Sequence, residues 1–218
     1  IDLSGNYVIS DTYNYRIQVI SPSGVFIRQF GSYGAGGNGY FSGAYGVTVD
    51  LSGNYIVADT YNNVIQVFNP LGVFITQFTG YNQPHAVTID LSGNYVIANT
   101  GNNSIVVISP LTSQIPGSIV KQFGSGGSTP GDGILNNPTG VAVDLSGNYL
   151  VADSGNNLIQ IFTPSGQYYS ELGSASLTST NGTIPGVFNS PQGITVDKNT
   201  GKYVVVDTLN YRVMAFNV

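Results

Sequence analysis

Residues 50–68 read DLSGNYIVADTYNNVIQVF, and this stretch occurs five times in variant form. The copies begin at Asp2, Asp50, Asp90, Asp144 and Asp197. The first four share the letters DLSGNY, and the fifth loosens to DKNTGKY. Start-to-start spacings are 48, 40, 54 and 53 residues. A period near 40–50 residues is the signature of a repeat array.

Each copy reads as short strands joined by tight turns. Asp50-Leu51-Ser52-Gly53-Asn54 has turn composition, with Gly supplying positive φ and Asp or Asn bonding local backbone. Tyr55-Ile56-Val57-Ala58 is an apolar, β-branched run, which predicts a strand buried on both faces. Residues 59–63 form a second turn and 64–68 another strand. Asn69-Pro70-Leu71-Gly72 has hairpin chemistry, 73–78 is an outer strand, and 46–49 is a strand ahead of the stretch. One repeat is therefore a four-stranded antiparallel meander, with strands a to d. A lone meander cannot bury both faces, whereas copies stacked around an axis can, with a innermost and d at the rim. The prediction is an all-β fold, a β-propeller, in one domain spanning 1–218.

The words GVTVD (46–50), GNYIVADTYNN (53–63) and IQVF (65–68) resemble the NHL repeat family of propellers. The likeness recurs in all five repeats, at 1–30, 46–78, 86–123, 140–172 and 193–217. It implies five NHL-like four-stranded repeats, arranged as a five-bladed ring or as part of a six-bladed one. It implies no particular activity, because one fold hosts many.

Composition narrows the classes. Charged residues make up 8% of the 218, and net charge is −5 with only six Lys and Arg. A nucleic-acid surface needs a basic patch, so no nucleic-acid partner is expected. There is no cysteine, which excludes disulfides and thiolate chemistry. No apolar run approaches the ~18 residues of a membrane span. Polarity carried by Asn, Ser, Thr and Gln suggests an extracellular or cell-surface protein.

Three of the connections from strand d to the next strand a are long and Gly-rich, at 31–45, 124–139 and 173–192; the fourth, 79–85, is short. Phe41, Leu135 and Phe188 hold matching linker positions and are expected to plug between blades. Nine of the eleven acids fall at two repeat positions, after strand a and after strand b. Asn99 takes the second position in repeat 3. Both positions open turns, where a carboxylate accepts backbone N–H bonds, so these acids read as structural.

His85, the only histidine, stands in Gln83-Pro84-His85 just before an inner strand. The NHL resemblance likens this to the Pro-His element that lyase propellers place at the channel mouth, where several histidines share a metal. The equivalent positions here are Tyr45, Thr139 and Gln192, which predicts a loop histidine without a metal or other cofactor. No nucleophile elbow and no phosphate-binding loop is present. Asn102 and Asn181 begin N-glycosylation triplets.

The expectation from these residues is a non-enzymatic binding or structural propeller. Protein or glycan partners would meet the face carrying the d–a linkers and b–c turns. Its candidate residues are Tyr45, His85, Thr139 and Gln192 around the channel, with Tyr13 and Tyr61 farther out. Two alternatives are a metal-dependent lyase or hydrolase working near His85, and an intracellular RNA- or protein-binding module. Repeat 1 lacks strand a and repeat 5 lacks strand d. Three outcomes are expected of that gap: a longer chain, a small ring with two three-stranded blades, or strand donation into a homo-oligomer or filament.

Overall fold

The computed structural model describes residues 1–35, 37–126, 132–174 and 186–217. Each repeat folds as one antiparallel sheet whose neighbours in space are neighbours in sequence. Blade 2 runs Ala44–Val49, Tyr55–Asp59, Val64–Phe68 and Phe74–Phe78. Blade 3 runs Pro84–Ile89, Tyr95–Asn99, Ser104–Ile108 and Ile119–Phe123. Blade 4 runs Pro138–Val143, Tyr149–Asp153, Leu158–Phe162 and Tyr168–Gly173. Blade 1 has only Tyr7–Asp11, Arg16–Ile20 and Phe26–Phe30, so its strand b is its innermost. Blade 5 stops after Pro191–Val196, Tyr203–Asp207 and Arg212–Phe216.

The five blades stand side by side as a β-propeller, their inner ends surrounding a channel. At the a–b turn end that channel is a cavity of about 880 Å³ lined from all five repeats, with Thr48, Thr88, Ala142 and Thr195 on its wall. The a–b turns form as their composition requires, and Gly53 supplies φ +84°. The only helical pieces among the described residues are four three-residue 3₁₀ turns between strands b and c, such as Thr60–Asn62. Two short parallel pairings join linker ends: Ser32–Tyr33 with Tyr40–Phe41, and Ser125–Gly126 with Ile134–Leu135. A two-residue bridge leaves no periodicity, so the sequence did not announce it.

The core lies between blades. Ile56, Ala58, Ile65 and Val67 of blade 2 meet Tyr95, Ile97, Val106 and Ile108 of blade 3. Phe41, Leu135 and Phe188 are fully buried, Phe41 against Phe68 and Phe188 against Phe216. Strand b is buried on both faces in blades 2, 3 and 4. The same expectation fails at the two outer blades. Tyr7 and Ile9 are 46% and 42% exposed, and Val206 and Val213 are 43% and 66% exposed. Each lies on the face of its sheet that no neighbouring blade covers.

Candidate functional site

The inner strands carry the same irregularity at the same place. Ala44 pairs with Asp59 and Gly46 with Ala58, so Tyr45 is an extra residue, a β-bulge. His85, Thr139 and Gln192 are the bulged residues of blades 3, 4 and 5. A bulge breaks the alternation of the strand and re-aims one side chain. His85 is therefore a residue of the inner strand and not of a loop, contrary to the sequence expectation. Gly46 permits the crowding that this needs, since a Cβ there would stand 2.8 Å from the His85 carbonyl.

Each bulge is fixed from the preceding blade. Thr12, Thr60 and Thr100 donate their hydroxyls to the carbonyls of Ala44 (2.7 Å), Pro84 (2.7 Å) and Pro138 (2.6 Å). Ser154 does the same to Pro191 at 2.5 Å. Every accepting carbonyl belongs to the residue just before a candidate residue. Asn63, Asn103 and Asn157, each in the left-handed conformation, accept backbone N–H bonds from Gln83, Asn137 and Ser190 at 2.7–2.8 Å. These hydroxyl and amide clamps escaped the sequence reading, although Thr, Thr, Thr and Ser recur at one repeat position.

The acids after strand b hold the linkers. Asp59 is fully buried and accepts Ser42 N, Gly43 N, Asn62 Nδ2 and Gln66 Nε2 at 2.7–3.1 Å. Asp153 accepts Asn136 N, Asn156 Nδ2 and Gln160 Nε2. Burial outweighs these bonds and pushes the Asp153 carboxyl up to about 6. At the opposite mouth the acids after strand a are equally engaged. Asp50 accepts Ser52 N, Asn54 N, Asn54 Nδ2 and the Tyr95 hydroxyl.

Four of the candidate residues form a chain of contacts around the linker-side mouth. The Tyr45 ring packs on the His85 imidazole, centroids 4.5 Å apart and planes 32° apart. His85 Nδ1 lies 3.1 Å from the Thr139 carbonyl oxygen. Thr139 Oγ1 lies 2.5 Å from Ser154 Oγ and 3.2 Å from the Gln192 carbonyl oxygen. Tyr61 and Tyr13 join this chain through the Tyr45 hydroxyl, with Tyr61 Oη at 3.2 Å. The bond to Tyr61, burial and the bond to Tyr13 all raise the Tyr45 phenol, so it stays protonated.

Only one tautomer suits His85. A carbonyl accepts, so Nδ1 must carry the proton, and Nε2 is left as an acceptor. Burial lowers the His85 pKa below its ordinary value, against the opposing effect of the Thr139 bond. The mouth thus presents a neutral imidazole beside the protonated Tyr45 phenol.

A shared metal does not fit these residues. Among the described residues no three His, Cys, Asp or Glu side chains come together, and the positions equivalent to His85 on the other blades are Tyr45, Thr139 and Gln192. The two Arg residues that begin a strand c are engaged in ion pairs, Arg16 with Asp11 and Arg212 with Asp207, each at 2.7 Å. Asn102 is exposed on its turn, and its Oδ1 lies 3.3 Å from Asn82 Nδ2. Asn181 lies outside the described residues. No helix among the described residues is long and apolar enough to cross a membrane.

The NHL repeat model matches residues 135–162, the inner three strands of blade 4. Over 82 residues the chain is 38% identical to peptidyl-glycine alpha-amidating monooxygenase B of Xenopus laevis. That match covers 37% of this chain and 9% of the monooxygenase. Among solved structures, the chain superimposes on virginiamycin B lyase from Staphylococcus aureus, in a form made inactive by a histidine-to-alanine change and bearing quinupristin. That match has TM-score 0.65 and 18% identity, over 99% of this chain and 67% of the lyase. A protein assigned to the gluconolactonases superimposes with TM-score 0.71 and 14% identity, over 100% of this chain and 74% of that one. At these identities the likeness is one of fold. It nevertheless corrects the expectation of a non-enzymatic protein. The propellers that this chain resembles in structure include lyases and a protein assigned to the gluconolactonases, so a sequence without a familiar catalytic constellation is no argument against catalysis on this frame.

Proposed function

We propose that the protein is an acid–base enzyme of lyase or hydrolase type, with its active centre at the linker-side mouth and His85 as the proton-transfer group. The observation that carries the reading is the 3.1 Å contact of His85 Nδ1 with the Thr139 carbonyl. It fixes the tautomer and leaves Nε2 to take a proton from substrate or water. A base whose pKa is held below the ordinary histidine value by burial is ready at pH 7 without prior deprotonation. The Tyr45 hydroxyl, held protonated, and its partner Tyr61 supply hydroxyl groups beside it, the kind of group that stabilises a developing oxyanion. No step is routed through a metal, because the donor set does not suit one.

The mouth favours a substrate that is uncharged and offers apolar surface, since Tyr45, Tyr61 and Tyr13 dominate it. Tyr13 and Tyr61, 84% and 57% exposed, extend the contact area for a larger molecule such as a peptide or glycan. Esters and lactones are the substrate class to test first, by analogy with the gluconolactonase-like structure. The low charge and polar-neutral surface support an extracellular or cell-surface setting.

The test compares the protein with its His85→Gln variant on two probes, δ-gluconolactone followed by pH-stat and quinupristin followed by mass spectrometry. Turnover of either by the wild type, and a loss of about 10²-fold or more in the variant at unchanged melting temperature, is the expected result. Absence of turnover above buffer on both probes, or full activity of the variant, would overturn the proposal.

A further inference from the structure

The junctions between blades repeat three contacts, the first at the three junctions that follow blade 2 and the other two at all four. The first is a tyrosine at the start of strand b that donates to the aspartate of the preceding blade's a–b turn. Tyr95 reaches Asp50 at 2.9 Å, Tyr149 reaches Asp90 at 3.3 Å and Tyr203 reaches Asp144 at 2.8 Å. The second is the hydroxyl clamp from the b–c turn to the next inner strand, present at all four junctions. The third is the apolar face between them.

Blade 5 presents the leading half of a further junction with nothing against it. Thr208, the counterpart of Thr60, has its Oγ1 buried and without a hydrogen-bond partner. Asp197 accepts Asn199 N and Thr200 Oγ1, and no tyrosine hydroxyl reaches it. Val206 and Val213, at the positions of the fully buried Ala58 and Ile65, are largely exposed. Blade 1 presents the trailing half. Tyr7 is 46% exposed where Tyr55, Tyr95, Tyr149 and Tyr203 are at most 3% exposed.

We infer that the gap between blade 5 and blade 1 is a docking site for one complete additional repeat of the same kind. That repeat supplies a carbonyl at the head of its inner strand for Thr208, a tyrosine for Asp197 and an a–b turn aspartate for Tyr7. A second copy of this chain is the weaker occupant. Its blade 1 could offer Tyr7 to Asp197, but that blade has no inner strand and so no carbonyl for Thr208. Only a repeat with its own strand a matches all three open groups. This inference is independent of the catalytic reading of His85.

The experiment extends the chain with its own repeats. Phe216-Asn217 corresponds to Phe68-Asn69, so residues 70–123 are joined after Asn217, supplying a rim strand, a linker and a whole blade. A second extension uses residues 22–78 in place of 70–123, after the corresponding Ile20-Ser21. The expected result is a monomer that melts higher than the parent in at least one extension. In that protein Thr208→Val lowers the midpoint by about 2–4 °C, the effect of one lost hydrogen bond in a domain of this size. In the parent the same change leaves the midpoint level or raises it. Three outcomes would overturn the inference: no gain from either extension, an equal effect of Thr208→Val with and without the repeat, or a parent that is already a dimer by light scattering.

Discussion

Thr60 Oγ1 donates to the carbonyl oxygen of Pro84 across 2.7 Å, which ties a turn of blade 2 to the residue just before His85. The position of the imidazole is thus set by a side chain on another blade. The arrangement recurs at Ala44, Pro138 and Pro191, so the mouth is assembled by junctions and not by any single repeat.

Replacing Thr60 by Val keeps the side-chain shape and removes the donor. Thr60 is buried, so the Pro84 carbonyl would lose its partner without ready access to water. The expected loss is about 1 kcal/mol of stability, seen as a midpoint lowered by about 2–4 °C. Activity should fall further than the same loss of stability would explain, because the His85 bulge loosens. Calorimetry and turnover on the responsive probe check both parts.

Asp59 and Asp11 hold the same repeat position but different environments. Asp59→Ala leaves two linker N–H groups and two side-chain amides without their acceptor in a buried site, and should cost about 3–5 kcal/mol. Asp11 bonds Asn14, Arg16 and Gln18 near the surface and clamps no linker, so Asp11→Ala should be much milder. Urea titrations of the two variants decide this. Equal destabilisation would show that the linker clamp contributes nothing.

The repeat, the blade strands and the core of blades 2 to 4 were legible because they rest on local pattern. β-Branched runs and Asp/Gly/Asn turns mark each strand end, and the plugs Phe41, Leu135 and Phe188 stand at matching positions. The bulge was not legible, because one extra residue in a strand of Ala44–Val49 leaves no mark on a short apolar run. The linker role of Asp59 was half legible. Its turn position showed that it accepts N–H groups, but not that two of them come from residues 42 and 43. The exposed faces of blades 1 and 5 are as apolar in sequence as the buried ones, and only the geometry separates Tyr7 from Tyr55.

Asp153 makes stability depend on pH. Its folded pKa, near 6, lies above the ordinary carboxyl value of 3.8, so the folded state holds this proton more tightly than the unfolded chain. Its contribution therefore falls as pH rises from about 4 to about 6, by up to about 3 kcal/mol. Above that window the penalty of a buried charge is fully present. Denaturant midpoints taken from pH 4 to 7 should show this slope in the wild type and lose it in Asp153→Asn, which cannot titrate. Parallel slopes in the two proteins would exclude Asp153 as the source.

His85 is the only histidine, so its imidazole proton signals need no assignment beyond their chemical shift. Burial beneath Tyr45 holds its pKa below the ordinary 6.5. A depressed histidine pKa favours the folded state at high pH, and that contribution is lost as pH falls from 6.5 through the folded value. Tyr45→Ala removes the ring that covers the imidazole and should move its titration up towards 6.5, while Tyr45→Phe keeps the ring and should leave it low. The acid limb of the rate profile must move with it if His85 Nε2 is the base. An NMR titration that shifts in Tyr45→Ala while the rate profile stays in place would separate the two, leaving the burial argument intact and removing His85 from the chemistry.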